Sequence, residues 1–253
     1  MAAEKRVLIL HAPGTNRDGD LAAAFQLAGG KPEIIPLSEL AKLDRLGDDF
    51  GLLALPGGFS YGDALGAGQL WAIELQTRFS EVVKQFVESG RPVVGICNGF
   101  QALVKADLLP GNGHRATLTY NQSAKFECRW VTLTLNQNNP SGWLKGIERI
   151  VCPVAHGEGR FLLEDNLTLS DSQIALKYSY SDGSSADMVY PENPNGSPSG
   201  IAGITNPAGN ILGLMPHPED HIMFYQNPSW TRNKNEKGKY LGLSLFKNGL
   251  AMI

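Results

Sequence analysis

The sequence predicts a doubly wound, mostly parallel α/β sheet with a small antiparallel extension, organised as one domain over residues 1–253. Three observations carry this. Short β-branched and aliphatic runs alternate with amphipathic helical patterns as far as Gly111, which is the signature of strands joined by helical crossovers. Glycine clusters follow two of the buried runs, at residues 56–63 and 95–99, where a parallel sheet gathers its functional loops. Beyond Gly111 the helical period gives way to short strands and turn-rich loops, the pattern of antiparallel pairing.

In chain order, residues 6–10 read as the first strand and Ala12-Pro13-Gly14-Thr15-Asn16 as the loop leaving it. Asp18 or Asp20 is placed to cap a helix running to Ala28, and Gly29-Gly30 ends it. Residues 33–35 form a short second strand, 38–49 a polar, partly helical crossover, and 52–55 a third strand. That strand stops at Pro56-Gly57-Gly58-Phe59-Ser60-Tyr61-Gly62-Asp63, a functional loop candidate. From Ala64 the pattern turns helical: Phe79, Val82, Val83, Phe86 and Val87 recur at i, i+3, i+4, i+7 and i+8, giving one buried stripe closed by Gly90. A fourth buried strand begins at Pro92. Its helix runs out at Leu108-Leu109-Pro110-Gly111.

Residues 117–120, 126–135, 150–153, 175–180 and 188–190 then read as short strands. Residues 201–205 and 211–214 flank Asn206-Pro207-Ala208-Gly209-Asn210 as a hairpin, which delivers Met215-Pro216-His217-Pro218-Glu219. Leu241, Leu245 and Leu250 give 240–251 helical spacing. Asn193-Pro194-Asn195-Gly196-Ser197-Pro198 is read as a turn cluster ordered only against a partner, and Asn233-Lys234-Asn235-Glu236-Lys237-Gly238-Lys239 as a solvated loop.

A formal charge of −3, with 42 % hydrophobic and 19 % charged residues, makes no electrostatic case for nucleic acid or an anionic membrane. A small molecule or a protein is the expected partner. The apolar run after Met1-Ala2-Ala3-Glu4-Lys5-Arg6 is too short for a signal peptide and no run reaches membrane-spanning length, so a cytoplasmic location is expected. On that expectation the sequons at Asn166 and Asn195 carry no weight. Cys97, Cys128 and Cys152 are odd in number and lack zinc-like spacing, so neither a disulfide framework nor a metal site is indicated. No phosphate-binding glycine motif is present in the sequence.

The chemistry concentrates at Gly95-Ile96-Cys97-Asn98-Gly99. This G-x-C-x-G pattern between a buried strand and a helix is a nucleophile elbow, and a helix N-terminus favours the thiolate. A thiolate needs a base and the base an orienting group, roles that His217 and Glu219 fit. The N–H groups of Asn98 and Gly58 are the candidate oxyanion donors. Each feature alone also has a bland reading: a buried cysteine, a surface histidine, a tight turn. Their joint occurrence favours the chemistry. His156, in Ala155-His156-Gly157-Glu158-Gly159-Arg160, reads as a hydrogen-bonded structural residue in preference to a second acid–base pair, and His221 as solvent-exposed.

These residues resemble the class I glutamine amidotransferases. Gly57-Gly58-Phe59-Ser60-Tyr61-Gly62-Asp63, Phe126-Glu127-Cys128-Arg129, His156-Gly157-Glu158-Gly159-Arg160 and the 193–198 segment are similar, more narrowly, to the free-standing glutaminase subunits of phosphoribosylformylglycinamidine synthases. The resemblance implies a flavodoxin-like fold and hydrolysis of L-glutamine to glutamate and ammonia. The ammonia passes to a synthetase partner in de novo purine synthesis, with a small third subunit often present. It implies no cofactor or metal in this chain, with ATP and magnesium on the synthetase. It also carries Cys97 over as nucleophile, His217 as base and acid, Glu219 as orienting carboxylate, and Gln101, Asn121 and Ser123 as glutamine contacts. Two stretches depart from the family pattern. Ala64-Leu65-Gly66-Ala67-Gly68 stands where a bulkier, arginine-containing segment is common, and Arg17 where a small residue is expected. The rival readings are a stand-alone cysteine hydrolase of γ-glutamyl or peptide bonds, and a non-catalytic partner-binding module of the same fold.

Overall fold

The computed structural model describes residues 4–42, 46–164, 167–232 and 238–253. The sequon asparagine Asn166 and most of the 233–239 loop lie outside the described residues, as does part of the 38–49 crossover. The first half of the chain runs β1 (Arg6–His11), α1 (Asp18–Leu27), β2 (Lys31–Pro36), α2 (Leu46–Asp49), β3 (Leu52–Leu55), α3 (Gln69–Gln76), α4 (Ser80–Glu88), β4 (Val93–Ile96) and α5 (Asn98–Lys105). The second half adds β5 (Ala116–Thr119), β6 (Glu127–Leu135), β7 (Arg149–His156), β8 (Arg160–Leu163), β9 (Ile174–Ser179), β10 (Ile201–Thr205), β11 (Ile211–Leu214) and α6 (Leu243–Ala251).

Nine strands form one sheet in the order β2-β1-β3-β4-β11-β10-β9-β6-β7, and β5 pairs with β8 in a separate ribbon. The first five strands of that order are parallel, and pairing turns antiparallel from β11 to β10 onward. The parallel part has the 2-1-3-4-5 arrangement of doubly wound flavodoxin-like sheets. Every residue of β3, β4 and β11 is buried, as continuous apolar runs covered on both faces require. Phe25 of α1 meets Phe246 of α6 edge-on at 5.1 Å, while α5 lies against β4 and β3 and α3 lies against α5.

The ladder fixes the geometry that matters for function. Leu55 is in register with Gly95, and Ile96 with Leu214. The loops leaving β3, β4 and β11 therefore start side by side at one edge. Contact there is close: a Cβ at Gly99 would lie 2.1 Å from the Leu55 carbonyl oxygen, so only glycine lets α5 start this near β3.

Several sequence expectations are corrected. Ala64–Gly68 is not helical, because Leu65, Gly66 and Gly68 have φ of 64, 106 and 73°, and the helix starts at Gln69. The helical stretch read up to Gly90 is two helices, α3 ending at Thr77 and α4 starting after Phe79, and the apolar stripe lies wholly on the second. Neither aspartate caps α1: Arg17 is its N-cap, His11 Nδ1 lies 2.7 Å from Asp18 and Arg17 pairs with Asp20. Residues 188–190 form a turn instead of a strand. The strand β8 was masked in the sequence by the glycine motif preceding it. The 193–198 segment is ordered within the chain itself: Asn193, Asn195 and Ser197 are buried, and Asn195 donates to the Gly159 carbonyl at 2.7 Å and to Tyr178 Oη at 3.0 Å. Turn residues with satisfied side-chain amides need no partner to order them. The last helix starts at Leu243; Tyr240, with φ 59°, instead accepts a backbone bond from Val151.

The Gly99 contact sets a stability test. Gly99→Ala is expected to destabilise the fold by about 3 kcal/mol through overpacking against an immobile carbonyl, lowering the melting temperature by roughly 6–12 °C in calorimetry.

Candidate active site

Cys97 follows β4 directly and has φ 50° and ψ −105°, a strained conformation for a residue with a Cβ. Such strain persists because both neighbours are held: the Cys97 N–H donates to the Leu214 carbonyl at 2.8 Å, extending the β4–β11 ladder, and its carbonyl accepts from Gln101 at 3.0 Å, opening α5. The thiol is thus turned out of the sheet at the helix N-terminus. This is the elbow geometry.

His217 and Glu219 come from the turn after β11. His217 N–H donates to the Pro153 carbonyl of β7 at 2.8 Å, and a short 3₁₀ turn, Pro218–Asp220, brings the carboxylate back onto the ring. Glu219 Oε1 lies 2.7 Å from His217 Nδ1, so Nδ1–H donates to it and the catalytically available nitrogen is Nε2. Nε2 has no hydrogen-bond partner among the described residues. Burial works against an imidazolium here, but the Glu219 charge, followed by that of Cys97 and the hydrogen bond to Glu219, overcomes it and holds His217 well above its ordinary range. Cys97, His217 and Glu219 are 5 %, 2 % and 1 % exposed, so the set is closed from bulk water.

Gly57 explains how the three can meet. A Cβ there would lie 2.7 Å from His217 Cε1 and 3.4 Å from Cys97 Cβ, wedging thiol and imidazole apart. The β3 loop is thereby packed directly onto the pair, with Gly58 one residue further on. Asn98 stands at the first position of α5, where a backbone N–H has no intrahelical acceptor.

Behind the elbow lies a brace that sequence reasoning missed. Asn98 Oδ1 accepts from Ser60 N–H at 3.1 Å, and its Nδ2 donates to Asp63 Oδ1 at 3.2 Å and to Gln101 Oε1 at 3.0 Å. Gln101 Nε2 donates to the Glu158 carbonyl at 2.7 Å. Ala67 is gripped at both ends, its N–H by Glu158 Oε2 at 3.4 Å and its carbonyl by Lys105 Nζ at 2.7 Å. Burial raises Asp63, reinforced by Glu158, and burial lowers Lys105 against the pull of Glu158 and Asp63. These charges sit on three separate elements, and their spacing in sequence carries no signal of the meeting.

The three residues assigned by resemblance to glutamine differ in placement. Gln101 is buried and braced as above. Asn121 is also buried, and its amide is committed to the chain: Nδ2 donates to the Lys125 and His156 carbonyls, both at 2.8 Å, and Oδ1 accepts from Gly159 N–H and His156 Nδ1–H, both at 3.0 Å. It is a turn-building residue. Ser123 lies on an exposed turn, its Oγ accepting from Lys125 N–H at 3.3 Å.

His156 is the hydrogen-bonded residue expected. Burial, with the charge of His217 second, lowers it to about 3, so it stays neutral beside the reactive pair. His221, expected in solvent, is buried edge-on to Trp130 at 5.1 Å with Nδ1 on the Val151 carbonyl; the pairing of β6 with β7 covers it. Cys152 is buried, and desolvation with the nearby Glu219 and Asp220 charges pushes its thiol well up, which keeps it inert. Cys128 is exposed and free. Among the described residues no helix is long and apolar enough to cross a membrane and no cluster of ligating side chains could hold a metal. Chemically, the arrangement can attack an acyl carbon with a thiolate, receive the oxyanion on backbone N–H groups, and move a proton through His217 Nε2.

Residues 4–252 match the family profile described as CobB/CobQ-like glutamine amidotransferase domain. A phosphoribosylformylglycinamidine synthase subunit PurQ from Treponema denticola is 45 % identical, over 98 % of this chain and 98 % of its own. The corresponding subunit from Dehalococcoides mccartyi is 43 % identical over 97 % of this chain and 96 % of its own. Among solved structures, a chain of PurLQS from Thermotoga maritima superposes with a TM-score of 0.75 at 31 % identity, covering 98 % of this chain and 99 % of that one.

The neutral burial of His156 sets a pH test. Its proton affinity is lower folded than unfolded, so it contributes stability above the unfolded value near 6.5 that is lost as pH falls toward 3. Between pH 7 and pH 4.5 the loss is about 2–3 kcal/mol. His156→Gln is expected to remove that slope from urea-melt stabilities, whatever it does to stability at pH 7.

Proposed function

Because the chain belongs to the CobB/CobQ-like glutamine amidotransferase family, we propose that Cys97, His217 and Glu219 perform the glutamine hydrolysis of that family. The chain is the glutaminase component of phosphoribosylformylglycinamidine synthase, in purine biosynthesis, and works as a subunit beside a synthetase partner. The observation that carries the residue assignment is the buried His217, oriented by Glu219 at 2.7 Å and presenting beside Cys97 an Nε2 that has no hydrogen-bond partner among the described residues.

The Cys97 thiolate attacks the side-chain amide carbon of L-glutamine, and the Gly58 and Asn98 N–H groups hold the oxyanion. As the tetrahedral adduct collapses, the C–N bond breaks and His217 gives its proton to departing ammonia. A glutamyl thioester is left on Cys97. His217 then takes a proton from water, the hydroxide displaces the thiolate, and glutamate leaves. The closed site guards both the thioester and the ammonia from bulk water. The synthetase consumes the ammonia with ATP and magnesium bound on its own chain, and a small third subunit completes the assembly. We infer a cytoplasmic location for this work.

The test separates the two halves of the reaction. With the synthetase, formylglycinamide ribonucleotide and ATP, Cys97→Ser is expected to lower glutamine-supported amidine formation by about a thousandfold or more while ammonia-supported formation persists. Full glutamine-supported activity in that variant, or vigorous γ-glutamyl hydrolysis by the wild-type chain alone, overturns the reading.

A further inference from the structure

Arg17 touches both loops that flank Cys97. Its backbone N–H donates to the Gly57 carbonyl at 3.3 Å. In a trans peptide the next N–H points the opposite way, so this bond turns Gly58 N–H away from residues 14–17. That side is filled: a Cβ at Gly58, where φ is 142°, would lie 2.7 Å from Asn16 N and 2.9 Å from Thr15 Cα. Two more backbone bonds, Phe59 N–H to the Gly14 carbonyl at 3.2 Å and Tyr61 N–H to the Pro13 carbonyl at 2.6 Å, strap the rest of the loop. Meanwhile the Arg17 guanidinium reaches Asp20 Oδ2 at 3.0 Å and Asp220 Oδ2 at 3.3 Å. Asp220 N–H in turn donates to the His217 carbonyl at 3.2 Å, closing the turn that presents the imidazole.

From this geometry we propose that Arg17 is a positioning residue for glutamine hydrolysis, tying the peptide that offers Gly58 N–H to the turn that carries His217 and Glu219. The inference rests on the function proposed above. It adds an electrostatic role to the mechanical one. Asp220 and Glu219 are adjacent carboxylates, faced by the Arg17 guanidinium as well as by His217. The titratable neighbours are Asp20 on α1, Glu219 and His217 in the turn, and Cys152 on β7; Cys97 and His156 face His217. Burial, followed by the Glu219 charge, raises Asp220 to about 6, and both His217 and Arg17 oppose that rise. Removing the cation takes away part of the opposition, so protons bind to the cluster at higher pH.

Two readouts test this in parallel. One is the pH dependence of Cys97 alkylation by iodoacetamide in the full-length chain, measured on the Cys97 peptide by mass spectrometry. The other is glutamine-supported turnover in the assembled complex. Arg17→Met is expected to move the acid limb of both profiles upward by about half to one pH unit and to lower kcat about tenfold or more, with KM for glutamine within about twofold. Arg17→Lys should return the limb toward wild type, because the charge is restored. Asp220→Asn should move the limb downward, and the double variant should show a smaller effect of losing Arg17 than the wild-type background does, the remainder being its charge on Glu219. If Arg17→Met does not fold, the lysine and asparagine variants still decide. Limbs that superimpose on wild type, with any activity loss matched by a lower melting temperature, overturn the proposal. Failure of the wild-type complex to use glutamine would overturn the functional reading instead, and the alkylation limbs would still decide the coupling.

Discussion

The reactive edge depends on β4 being hydrogen-bonded between two parallel neighbours, β3 and β11. Three loops from distant parts of the sequence must start side by side because their strands are in register there. The strained backbone of Cys97 is tolerable only in that setting. A residue with φ 50° pays no such strain back locally; the bond from Cys97 N–H to Leu214 and the first bond of α5 over-determine its position. The same pairing explains the glycines at the edge. Backbones this close leave no room for a Cβ at Gly99 against Leu55, or at Gly57 against His217.

Around this frame the electrostatics are arranged by burial and partner choice. Two histidines a short distance apart are driven in opposite directions. His217 has the Glu219 and Cys97 charges beside it and is held in the protonated direction, whereas His156 is buried against the neutral amide of Asn121 and is driven toward the neutral form. The proximity of His217 itself disfavours a second charge on His156. One proton carrier is thereby selected. Lys105, Asp63 and Glu158 form a partly buried group of opposite charges on the far side of the elbow, joined to it through Asn98 and Gln101.

The antiparallel half of the sheet serves the site less visibly. Its strand β7 supplies the Pro153 carbonyl that fixes His217 and ends at His156, and the 193–198 turn locks the His156–Arg160 segment from behind. The buried amides of Asn193, Asn195 and Asn121 do for these irregular segments what ladder bonds do for strands: each hydrogen-bonds backbone groups of the loops.

The amino-acid sequence by itself determined the parallel core and the elbow, and pointed to Cys97, His217 and Glu219, because strand period, bracketing glycines and turn residues are local properties of the chain. Only the tertiary structure decided the rest. That Ala64–Gly68 leaves the helix, that 193–198 orders without a partner, that Asn121 builds a turn, and that His221 is buried each depend on atoms contributed by distant elements. So does the meeting of Arg17 with Gly57 and Asp220, which are 40 and 203 positions away in the chain. Local patterns specify which elements form; which side chains then share a hydrogen bond is set by packing, and no spacing in the sequence records it.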